Sequence, residues 1–396
     1  MNIKTLFTYF PMLVGLVTFF AFILPCRLRV RAQAISMMVI LFATSKFFAF
    51  EQFGGDAFNP ILPAAVIWGW DVLYSTVFVL FAFAAPAFIL HLCFRFDFRR
   101  LLYPLPLASL AIVIYGTAAG IIAPGVDRIE LAFDDLPAEL DGFTIAQLTD
   151  THISSAARRW RTERIVETTN ALHPDLICFT GDFLDGEIRQ LRRDVEPLRR
   201  LESRLGVYAC TGNHEYYWPF DEWRPLLERW GVRFLSNECV KFGPLALAGV
   251  DDPAGYEYPH RRCRVDTKIA DVRGAFATAT NGEFRVLMEH RPGHARENTA
   301  EAGVRLQLSG HTHGGIAPFF APLIAGFNNG FVRGLYPLAN GAYLYLSPGA
   351  GQWAGFPMRL FNPSEITLIT LRRSLSDPGR TPPGQPQNTA RKSPKE

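Results

Sequence analysis

The sequence QLTDTH at residues 147–152 ends an apolar run with two chemically active side chains, Asp150 and His152. The same arrangement recurs in FTGDFLDG at residues 179–186, where Asp182 follows a second apolar run. Short apolar runs that end in glycine-containing polar turns, and that alternate with amphipathic helical stretches, are typical of an α/β domain. The two stretches therefore predict strands whose carboxyl ends carry the chemistry of the protein.

The alternation of strands and helices extends through the C-terminal part of the chain. Strand candidates lie at residues 143–148, 176–180, 207–211, 245–250, 284–288, 304–308, 342–346 and 366–371. Helix candidates lie at residues 160–172, 221–230 and 294–302. The chain end is rich in Pro, Ser, Gln and Lys and has few apolar residues, a composition typical of disorder. We therefore expect an α/β domain at residues 125–373 and a disordered tail at residues 374–396.

The first 124 residues differ from the rest of the chain, because they contain only eight Lys or Arg and four Asp or Glu residues. A helix that crosses the hydrocarbon layer needs about 20 mostly apolar residues. The candidate runs lie at residues 7–25, 35–50, 61–94 and 101–123. The run at 35–50 is the weakest because it is short. We therefore expect a membrane region at residues 1–124 with about four transmembrane helices.

Two charged residues, Lys46 and Asp71, lie within these apolar runs. Charged groups inside a membrane often mark an ion site. Each of the two lies near the end of its run, however, where its side chain can extend to the membrane surface. The sequence favours this interfacial placement and leaves an intramembrane ion site as the alternative.

Arginines are unevenly distributed among the loops that connect the predicted spans. The loops after the first and third spans contain three each: Arg27, Arg29, Arg31, Arg95, Arg99 and Arg100. The loop at residues 51–60 contains no Lys or Arg, and the N-terminus contains only Lys4. Because Lys and Arg mark cytoplasmic loops, four spans would place the C-terminal domain on the non-cytoplasmic side. No small-residue cleavage site follows the first run, so we expect a retained anchor in a multi-pass protein of the bacterial inner membrane.

The chain after residue 124 is nearly neutral, with 32 basic and 33 acidic residues. This balance does not favour a nucleic-acid partner. The six cysteines form no CxxC motif and no zinc-finger spacing, which argues against a zinc ribbon or a disulfide framework. Cys239 and Cys263 are the pair that could form a disulfide.

Other predicted strand ends carry the same kinds of side chain. Asn213 and His214 lie in CTGNHE, His290 lies in VLMEHRPG, and His311 and His313 lie in LSGHTHGG. Because the carboxyl ends of strands form the ligand crevice of open α/β sheets, these side chains should meet. Carboxylate, imidazole and amide oxygen are ligands for cations of the Mn, Fe, Zn or Mg class.

The set contains seven candidate metal ligands: Asp150, His152, Asp182, Asn213, His290, His311 and His313. Seven ligands are too many for one ion. They fit two divalent ions about 3.5–4 Å apart, an arrangement that clamps the attacking and leaving oxygens of a phosphoester displacement. The isolated histidines His173, His260 and His294 are expected to have no chemical role.

Taken in order, the blocks DxH, GDxxD, GNHE, a single His and GHxH resemble the calcineurin-like metallophosphoesterases over residues 127–373. Within that family, GHTHGG and the GVDD stretch at residues 249–252 resemble a membrane-linked or exported subgroup. The resemblance implies a pair of packed β-sheets with helices outside. The expected fold is therefore an N-terminal multi-span α-helical membrane region followed by an α/β metallophosphoesterase domain.

The resemblance also implies a role for each residue of the set. One metal ion would be bound by Asp150, His152 and His313. The other would be bound by Asn213, His290 and His311. Asp182 would bridge the two ions, and Asp185 would hold a neighbouring group or a loop rather than a metal. His214 would stabilise the phosphoryl transition state or protonate the leaving group.

Two residues depart from the pattern of the family. Glu289 precedes the single His, where relatives often have a neutral residue, and Ile316 follows GHTHGG, where Gln is common. These departures bear on substrate specificity more than on metal binding.

Two features near the motifs bear on the substrate. Four arginines after DTH could contact a phosphate, although a solvated helix face is the favoured interpretation: Arg158, Arg159, Arg161 and Arg164. The apolar stretch at residues 316–338 either packs on the domain or faces the bilayer.

The favoured function is a membrane-anchored, metal-dependent phosphoesterase that hydrolyses a phosphate or diphosphate ester at the membrane surface. A lipid-linked ester is a candidate substrate, because a tether raises the local concentration of a lipid but gives no advantage with a small soluble substrate. Two alternatives are a membrane sensor with a phosphoesterase-like recognition domain and a transporter with an appended hydrolase. The complete set of ligands argues against the sensor, and the scarcity of intramembrane polar residues argues against the transporter.

Overall fold

A computed structural model describes residues 3–95, 97–257 and 267–374 of the chain. The N-terminal part is helical, with α1 (Ile3–Thr18), α2 (Val30–Thr44), α3 (Lys46–Gly54), α4 (Ala64–Phe94) and α5 (Pro104–Ile121). A π-turn at Phe19–Ile23 and a 3₁₀ turn at Leu24–Cys26 extend α1. The predicted tail beyond residue 374 and the possible pairing partner Cys263 lie outside the described residues.

Three helical segments among the described residues are long and apolar enough to cross a membrane: Thr8–Cys26, Ala64–Phe94 and Pro104–Ile121. A fourth crossing requires α2 and α3 together, and these two helices meet at an angle of 58°. The predicted span at residues 35–50 is therefore not one continuous helix, and its crossing of the membrane stays a prediction. It comprises the end of α2, a break at Ser45 and the start of α3, and the break directs Lys46 into the protein rather than along the span.

Lys46 and Asp71 form a buried ion pair, with Nζ and Oδ1 2.6 Å apart and side chains 1% and 2% exposed. The Lys46 ammonium also donates a hydrogen bond to the carbonyl of Ala354, at 2.7 Å, in the C-terminal domain. The rings of Phe47 and Tyr74 lie 4.7 and 4.9 Å from the same ammonium. The two side chains are therefore buried where the helix bundle meets the domain, and the interfacial placement favoured from the sequence stays a prediction.

We expect Lys46→Met to lower the stability of the protein by about 3–5 kcal/mol, because it leaves the carboxylate of Asp71 buried and unpaired. The double variant Lys46→Met/Asp71→Leu removes both charges and should recover most of this loss. Thermal unfolding of the full chain in detergent measures both effects. Equal unfolding temperatures for the single and double variants would show that the pair has no coupled contribution.

The two arginine-bearing loops lie at one end of the helix bundle and the C-terminal domain lies at the other. Cys26 and Leu28, just before α2, pack in one apolar cluster with Leu101, just before α5. At the opposite end, Tyr74 of α4 packs against Phe356 of the domain.

Two mixed sheets of six strands each form the C-terminal domain in the part of the chain that the structure describes. The first sheet has the order β1 (Gly125–Phe133), β12 (Glu365–Arg373), β2 (Thr144–Leu148), β3 (Leu176–Thr180), β4 (Val207–Cys210) and β5 (Val232–Phe234). The second has the order β10 (Gly334–Pro337), β11 (Tyr343–Leu346), β9 (Leu306–Ser309), β8 (Phe284–Met288), β7 (Leu245–Gly249) and β6 (Glu238–Phe242). Strands β2 to β5 are parallel to one another, as are β7, β8, β9 and β11.

The two sheets pack face to face, because their inward side chains, such as Cys178 of β3 and Val286 of β8, form one buried cluster. Helices α6 (Arg159–Asn170), α7 (Ile188–Val195) and α8 (Phe220–Arg229) cover the outer face of the first sheet. Helices α9 (Ala254–Glu257), α10 (Val272–Ala275), α11 (Ala295–Ala302) and α12 (Ala321–Phe327) belong to the second half of the domain. The predicted fold class is confirmed, and it brings the carboxyl ends of the central parallel strands of both sheets together.

Candidate metal centre

The seven predicted ligands meet in the crevice between the two sheets. Asp150 and His152 follow β2, Asp182 follows β3, and Asn213 follows β4, so that the first sheet supplies four of them. The second sheet supplies the others from the ends of β8 and β9: His290, His311 and His313. All of them are buried except His311, which is partly exposed.

The backbone adopts the left-handed conformation at five of the seven positions: Asp150, His152, Asp182, His311 and His313, with φ between 42° and 75°. This conformation is uncommon for residues other than glycine and costs about 1–3 kcal/mol each where the surroundings impose it. Two glycines provide the space that the turns need, since a Cβ at Gly212 or Gly310 would collide with the carboxylate of Asp182 or Asp150. The strand ends are thus bent so that these side chains point into the crevice.

One group of ligand atoms consists of Asp150, His152 and His313. The Nε2 atoms of the two histidines are 3.1 Å apart, and they lie 3.8 and 3.5 Å from Oδ1 of Asp150. The Nδ1 of His152 donates a hydrogen bond to Asp185 at 3.0 Å, which leaves its Nε2 with a lone pair directed at the group. These atoms are close enough together to share one ion.

The buried Nε2 of His290 faces the carboxylate of Asp182. Its Nδ1 donates a hydrogen bond to the carbonyl of Thr180 at 2.7 Å, so that in the neutral ring Nε2 is an acceptor. This Nε2 is fully buried and lies 3.2 Å from Oδ2 of Asp182. Burial would lower the pKa of His290, but the charge of Asp182 and a hydrogen bond to it raise the pKa to about 10, so a proton lies between the two side chains in the metal-free protein. A divalent cation can take the place of this proton, and the residues present therefore fit a bound metal ion.

The amide of Asn213 lies beside His311. Its Oδ1 lies 2.9 Å from Nδ1 of His311, and its Nδ2 donates to the hydroxyl of Tyr217 at 3.4 Å. The contact with Tyr217 orients the amide so that the oxygen faces the histidine. Amide oxygen and imidazole nitrogen then converge as two further ligand atoms.

Asp182 lies between the two groups of ligand atoms. Its Oδ2 is 3.2 Å from Nε2 of His290 and 3.7 Å from Nε2 of His152. Its Oδ1 accepts a hydrogen bond from the backbone N–H of His214 at 2.8 Å. One carboxylate oxygen is therefore within reach of ligands from both groups.

The electrostatics of the centre favour cations. Burial alone would raise the pKa of Asp182, but the charges of His290 and His214 outweigh burial and hold the pKa well below its usual range. Burial lowers the pKa values of His311 and His313 well below the ordinary value. A neutral imidazole is the form of histidine that binds metal ions.

The model of the calcineurin-like phosphoesterase family matches residues 143–315, which contain all seven of these side chains. An uncharacterized metallophosphoesterase of Helicobacter pylori is 32% identical over 266 residues, which cover 67% of this chain and 68% of the relative. This chain belongs to the calcineurin-like metallophosphoesterase family.

A transmembrane protein with metallophosphoesterase domain from Danio rerio is 33% identical over 70% of this chain and 64% of the relative. An uncharacterized metallophosphoesterase of Aquifex aeolicus is 31% identical over 62% of this chain and 91% of the relative. The chain spans between 48% and 64% of the length of its relatives from Danio rerio, Caenorhabditis elegans and Bos taurus. The apolar helices and the relatives named as transmembrane proteins support a membrane-bound metallophosphoesterase.

His214 of this metallophosphoesterase lies beside the ligands and forms, with His152 and Asp185, a further cluster of possible metal ligands. Asp185 accepts hydrogen bonds from Nδ1 of both His152 and His214, at 3.0 and 2.5 Å, and so fixes the two rings relative to each other. Burial would lower the pKa of His214, but the charges of Asp185 and Asp182 raise it to about 9. His214 therefore holds a proton at neutral pH.

Glu215 is a structural residue of the centre that the sequence analysis did not assign. Its buried carboxylate accepts hydrogen bonds from the backbone N–H groups of Asp182, Phe183 and Gly212, at 2.7–2.8 Å. It thereby joins the turns that follow β3 and β4. Its position as the last residue of the GNHE block is the sequence feature from which it could have been identified.

Arg359, the second residue that was missed, is 1% exposed and lies 3.3 Å from Nδ1 of His313. Its guanidinium donates hydrogen bonds to the carbonyls of Pro348 and Gly351, and the N–H of Gly351 donates to the carbonyl of Asp150. Burial lowers the pKa of Arg359 to about 10, so the group keeps its charge. No motif marks this residue, because its partners are backbone atoms.

The arginines after DTH do not reach the crevice. Arg158, Arg159 and Arg164 form ion pairs with acidic residues of the surrounding surface: Asp194, Glu163, Glu196 and Glu167. Arg161 is buried and donates to the carbonyl of Ala350, so it supports the same loop as Arg359. The hypothesis that these arginines bind phosphate therefore receives no support from their positions.

Glu289, which departs from the family pattern, stabilises the segment next to His290 through hydrogen bonds. Its buried carboxylate accepts hydrogen bonds from the side-chain amides of Asn298 and Gln307, at 2.6 and 2.9 Å. The neighbouring Arg291 forms a bidentate ion pair with Asp252 of the GVDD stretch, at 2.8 and 2.9 Å. Both interactions hold the loop that carries His290.

Proposed function

We propose that this protein is a membrane-anchored phosphoesterase that hydrolyses a phosphate or diphosphate ester with a water nucleophile, and that a lipid-linked ester is its substrate. The observation that carries the proposal is the convergence of Asp150, His152 and His313, whose ligand atoms are close enough together to share one ion, within a set of seven buried or partly exposed ligands. Buried polar atoms in native proteins almost always have a partner. A divalent cation is the partner that the chemistry of these donors selects.

The seven side chains divide into two sets, which supports two ions of the Mn, Fe, Zn or Mg class. Asp150, His152 and His313 would hold one ion. Asn213, His290 and His311 would hold the other, with Asp182 shared. Bound divalent cations would lower the pKa of the attacking water and offset the charge of the phosphoryl oxygens.

His214 would supply the proton for the leaving oxygen. Its Nδ1–H is engaged by Asp185, so the ring is fixed and the exchangeable proton is carried on Nε2. The raised pKa keeps this proton in place at neutral pH until negative charge develops on the leaving group. Asp185 acts through His214 and is a positioning residue.

The contact between the domain and the helix bundle supports a substrate at the membrane. Phe356 packs against Tyr74 and Phe78 of α4, with ring centroids 6.2 and 5.7 Å apart. Trp353 of the same loop lies 6.2 Å from the ring of His214. A site held this close to the bundle would meet a lipid headgroup at high local concentration.

A substrate screen tests this function. The purified full chain, loaded with Mn²⁺ in detergent, is assayed against a lipid phosphate, a lipid diphosphate and an aryl phosphodiester, with His290→Gln as the control. We expect turnover by the wild type on at least one lipid ester and none by the control. Binding without turnover of any ester would instead favour the alternative, a membrane sensor with a recognition domain.

We expect His214→Ala to lower kcat by about 10²–10⁴-fold, the range typical of a lost general acid. The variant should still bind about two metal ions per chain, because His214 is not one of the seven proposed ligands. Steady-state kinetics and elemental analysis of the purified protein measure the two quantities. His294→Ala is the matched control, since His294 is a histidine of the surface beside Glu289. A lost ion in His214→Ala would assign this residue to the metal ligands.

The arginine-bearing loops support a non-cytoplasmic catalytic domain. Clustered arginines resist translocation, so both loops would stay in the cytoplasm of a bacterial inner membrane. We expect a reporter that is active only outside the cytoplasm to be active when fused after Arg373 and silent when fused after Arg31. The opposite pattern would mean that α2 and α3 do not cross together and that the substrate is cytoplasmic.

A further inference from the structure

Two loops that follow the metal motifs extend from the domain along the sides of the membrane helices. The first loop, residues 316–331, includes α12, and its Phe319 lies against Phe83 of α4 with ring centroids 6.5 Å apart. The second loop, residues 352–361, places Phe361 against Tyr115 of α5 with centroids 6.0 Å apart. Both contacts involve exposed residues of the helices, so they lie on the lipid-facing side of the bundle.

The lengths of the helices show how deep these contacts lie. The 18 residues of α5 measure about 27 Å, so the whole helix is needed to cross a hydrocarbon layer of about 30 Å. Tyr115 is six residues, or about 9 Å, from the end of α5 at Ile121. Phe361 therefore lies beside a part of α5 that must be inside the layer if α5 spans it.

The contact on α4 also lies within the layer. The helix has 31 residues and measures about 46 Å, and Phe83 lies about 28 Å from its start at Ala64. Whichever end of α4 projects beyond a layer of about 30 Å, Phe83 stays within it. Phe319 is therefore held at a level where its surroundings are acyl chains.

The outward side chains of the two loops form an apolar patch: Phe319, Leu323, Phe327 and Phe361, which are 36%, 58%, 80% and 70% exposed. The segment 316–332 contains no Asp, Glu, Lys or Arg. A cluster of large apolar side chains without charges is unfavourable in water and marks a surface that is covered in the working protein. Burial of such a side chain is favourable by about 1.5–3 kcal/mol.

We propose that the bilayer itself covers this apolar patch, with α12 and Phe361 inserted among the acyl chains beside α4 and α5. The patch is continuous with the exposed apolar surface of the spanning helices through Phe83 and Tyr115, which favours lipid over a second protein. His313 lies three residues before Ile316, so insertion of the loop holds the metal centre at the membrane surface. An inserted loop would also let a lipid-linked ester reach the metal centre sideways from the bilayer, which we call lateral presentation. Lateral presentation rests on the proposed function, whereas insertion does not.

Photocrosslinking tests insertion without any assay of activity. Phe327→p-benzoyl-phenylalanine is placed in the full chain, reconstituted in nanodiscs of phosphatidylethanolamine and phosphatidylglycerol, and irradiated. Ile114→p-benzoyl-phenylalanine on α5 is the positive control, and Ile269→p-benzoyl-phenylalanine, at an exposed apolar residue of the domain, is the negative control. We expect acyl-chain adducts by mass spectrometry at 327 and 114 and none at 269. Adducts at 114 but not at 327, or a crosslinked second copy of the chain at 327, would overturn the proposal.

Substrate presentation has a separate test with the variants Leu323→Asp and Phe327→Asp. We expect kcat/KM for an ester embedded in vesicles to fall at least about tenfold, because a charge at this level opposes insertion. Hydrolysis of a soluble aryl ester should be unchanged, as should both activities of the control Ile269→Asp. Equal losses on the two esters would overturn lateral presentation. If the wild type hydrolyses neither ester, the proposed function fails while the crosslinking result stands.

Discussion

Asp182→Asn should reduce turnover of an aryl phosphate ester by about 10³-fold or more, since several kcal/mol of electrostatic stabilisation are lost. The carboxylate lies within 3.2 Å of His290 and 3.7 Å of His152, so its charge serves both groups of ligands. An amide at this position has the same shape but lacks the charge that holds two cations close together. Kinetics with saturating Mn²⁺ and elemental analysis of the variant measure the effect.

Asp185→Asn is the matched comparison for this variant. Asp185 lies three residues further along the chain, is equally buried, and contacts His152 and His214 through their outward Nδ1 atoms. Loss of the hydrogen-bond partner of a metal ligand typically lowers metal affinity or activity by about 10–100-fold. Equal losses in the two variants would contradict the shared role of Asp182.

Removal of metal should abolish hydrolysis completely. The centre concentrates seven ligand groups in a buried crevice, and the Nε2 of His290 lies 3.2 Å from the carboxylate of Asp182. We expect a chelator to eliminate turnover and added Mn²⁺ to restore it. A rise in the unfolding temperature on metal addition is expected as well, since a ligand that binds only the folded state stabilises it.

His290→Gln provides the control for this experiment. It keeps a polar side chain at the end of β8 but removes the imidazole, so Mn²⁺ should restore neither turnover nor the higher unfolding temperature. Full turnover of the metal-stripped wild type would rule out the metal-dependent mechanism.

The strands that the sequence predicts are central, and those that it misses are at the edges. All five residues of β3 and of β7 are buried, and each strand forms a continuous apolar run that is recognisable without an alignment. The missed strands β1, β5, β6 and β10 are the four edges of the two sheets. An edge strand is solvated on one side and needs fewer apolar residues, as Glu238 and Lys241 of β6 illustrate.

The same limit applies to the candidate site. Asp150 and His311 could be predicted because each directly follows a strand, and strand ends converge in this type of sheet. Arg359 could not, because it lies 46 residues after His313 outside any motif, and most of its hydrogen bonds are to backbone carbonyls. Lys46 also escaped prediction, because its partners Asp71 and Ala354 lie in another helix and in another domain.

The cluster shared by the bundle and the domain means that the two are not separable modules. Phe356 and Met358 of the domain pack in one core with Val14, Tyr74 and Val113 of the membrane helices. A fragment truncated at residue 125 would expose to water the four buried residues that the domain contributes to that core: Ala317, Phe356, Met358 and Leu360. Such a fragment would be a poor soluble reagent even with every catalytic side chain present, and the helices serve as part of the folding unit as well as an anchor.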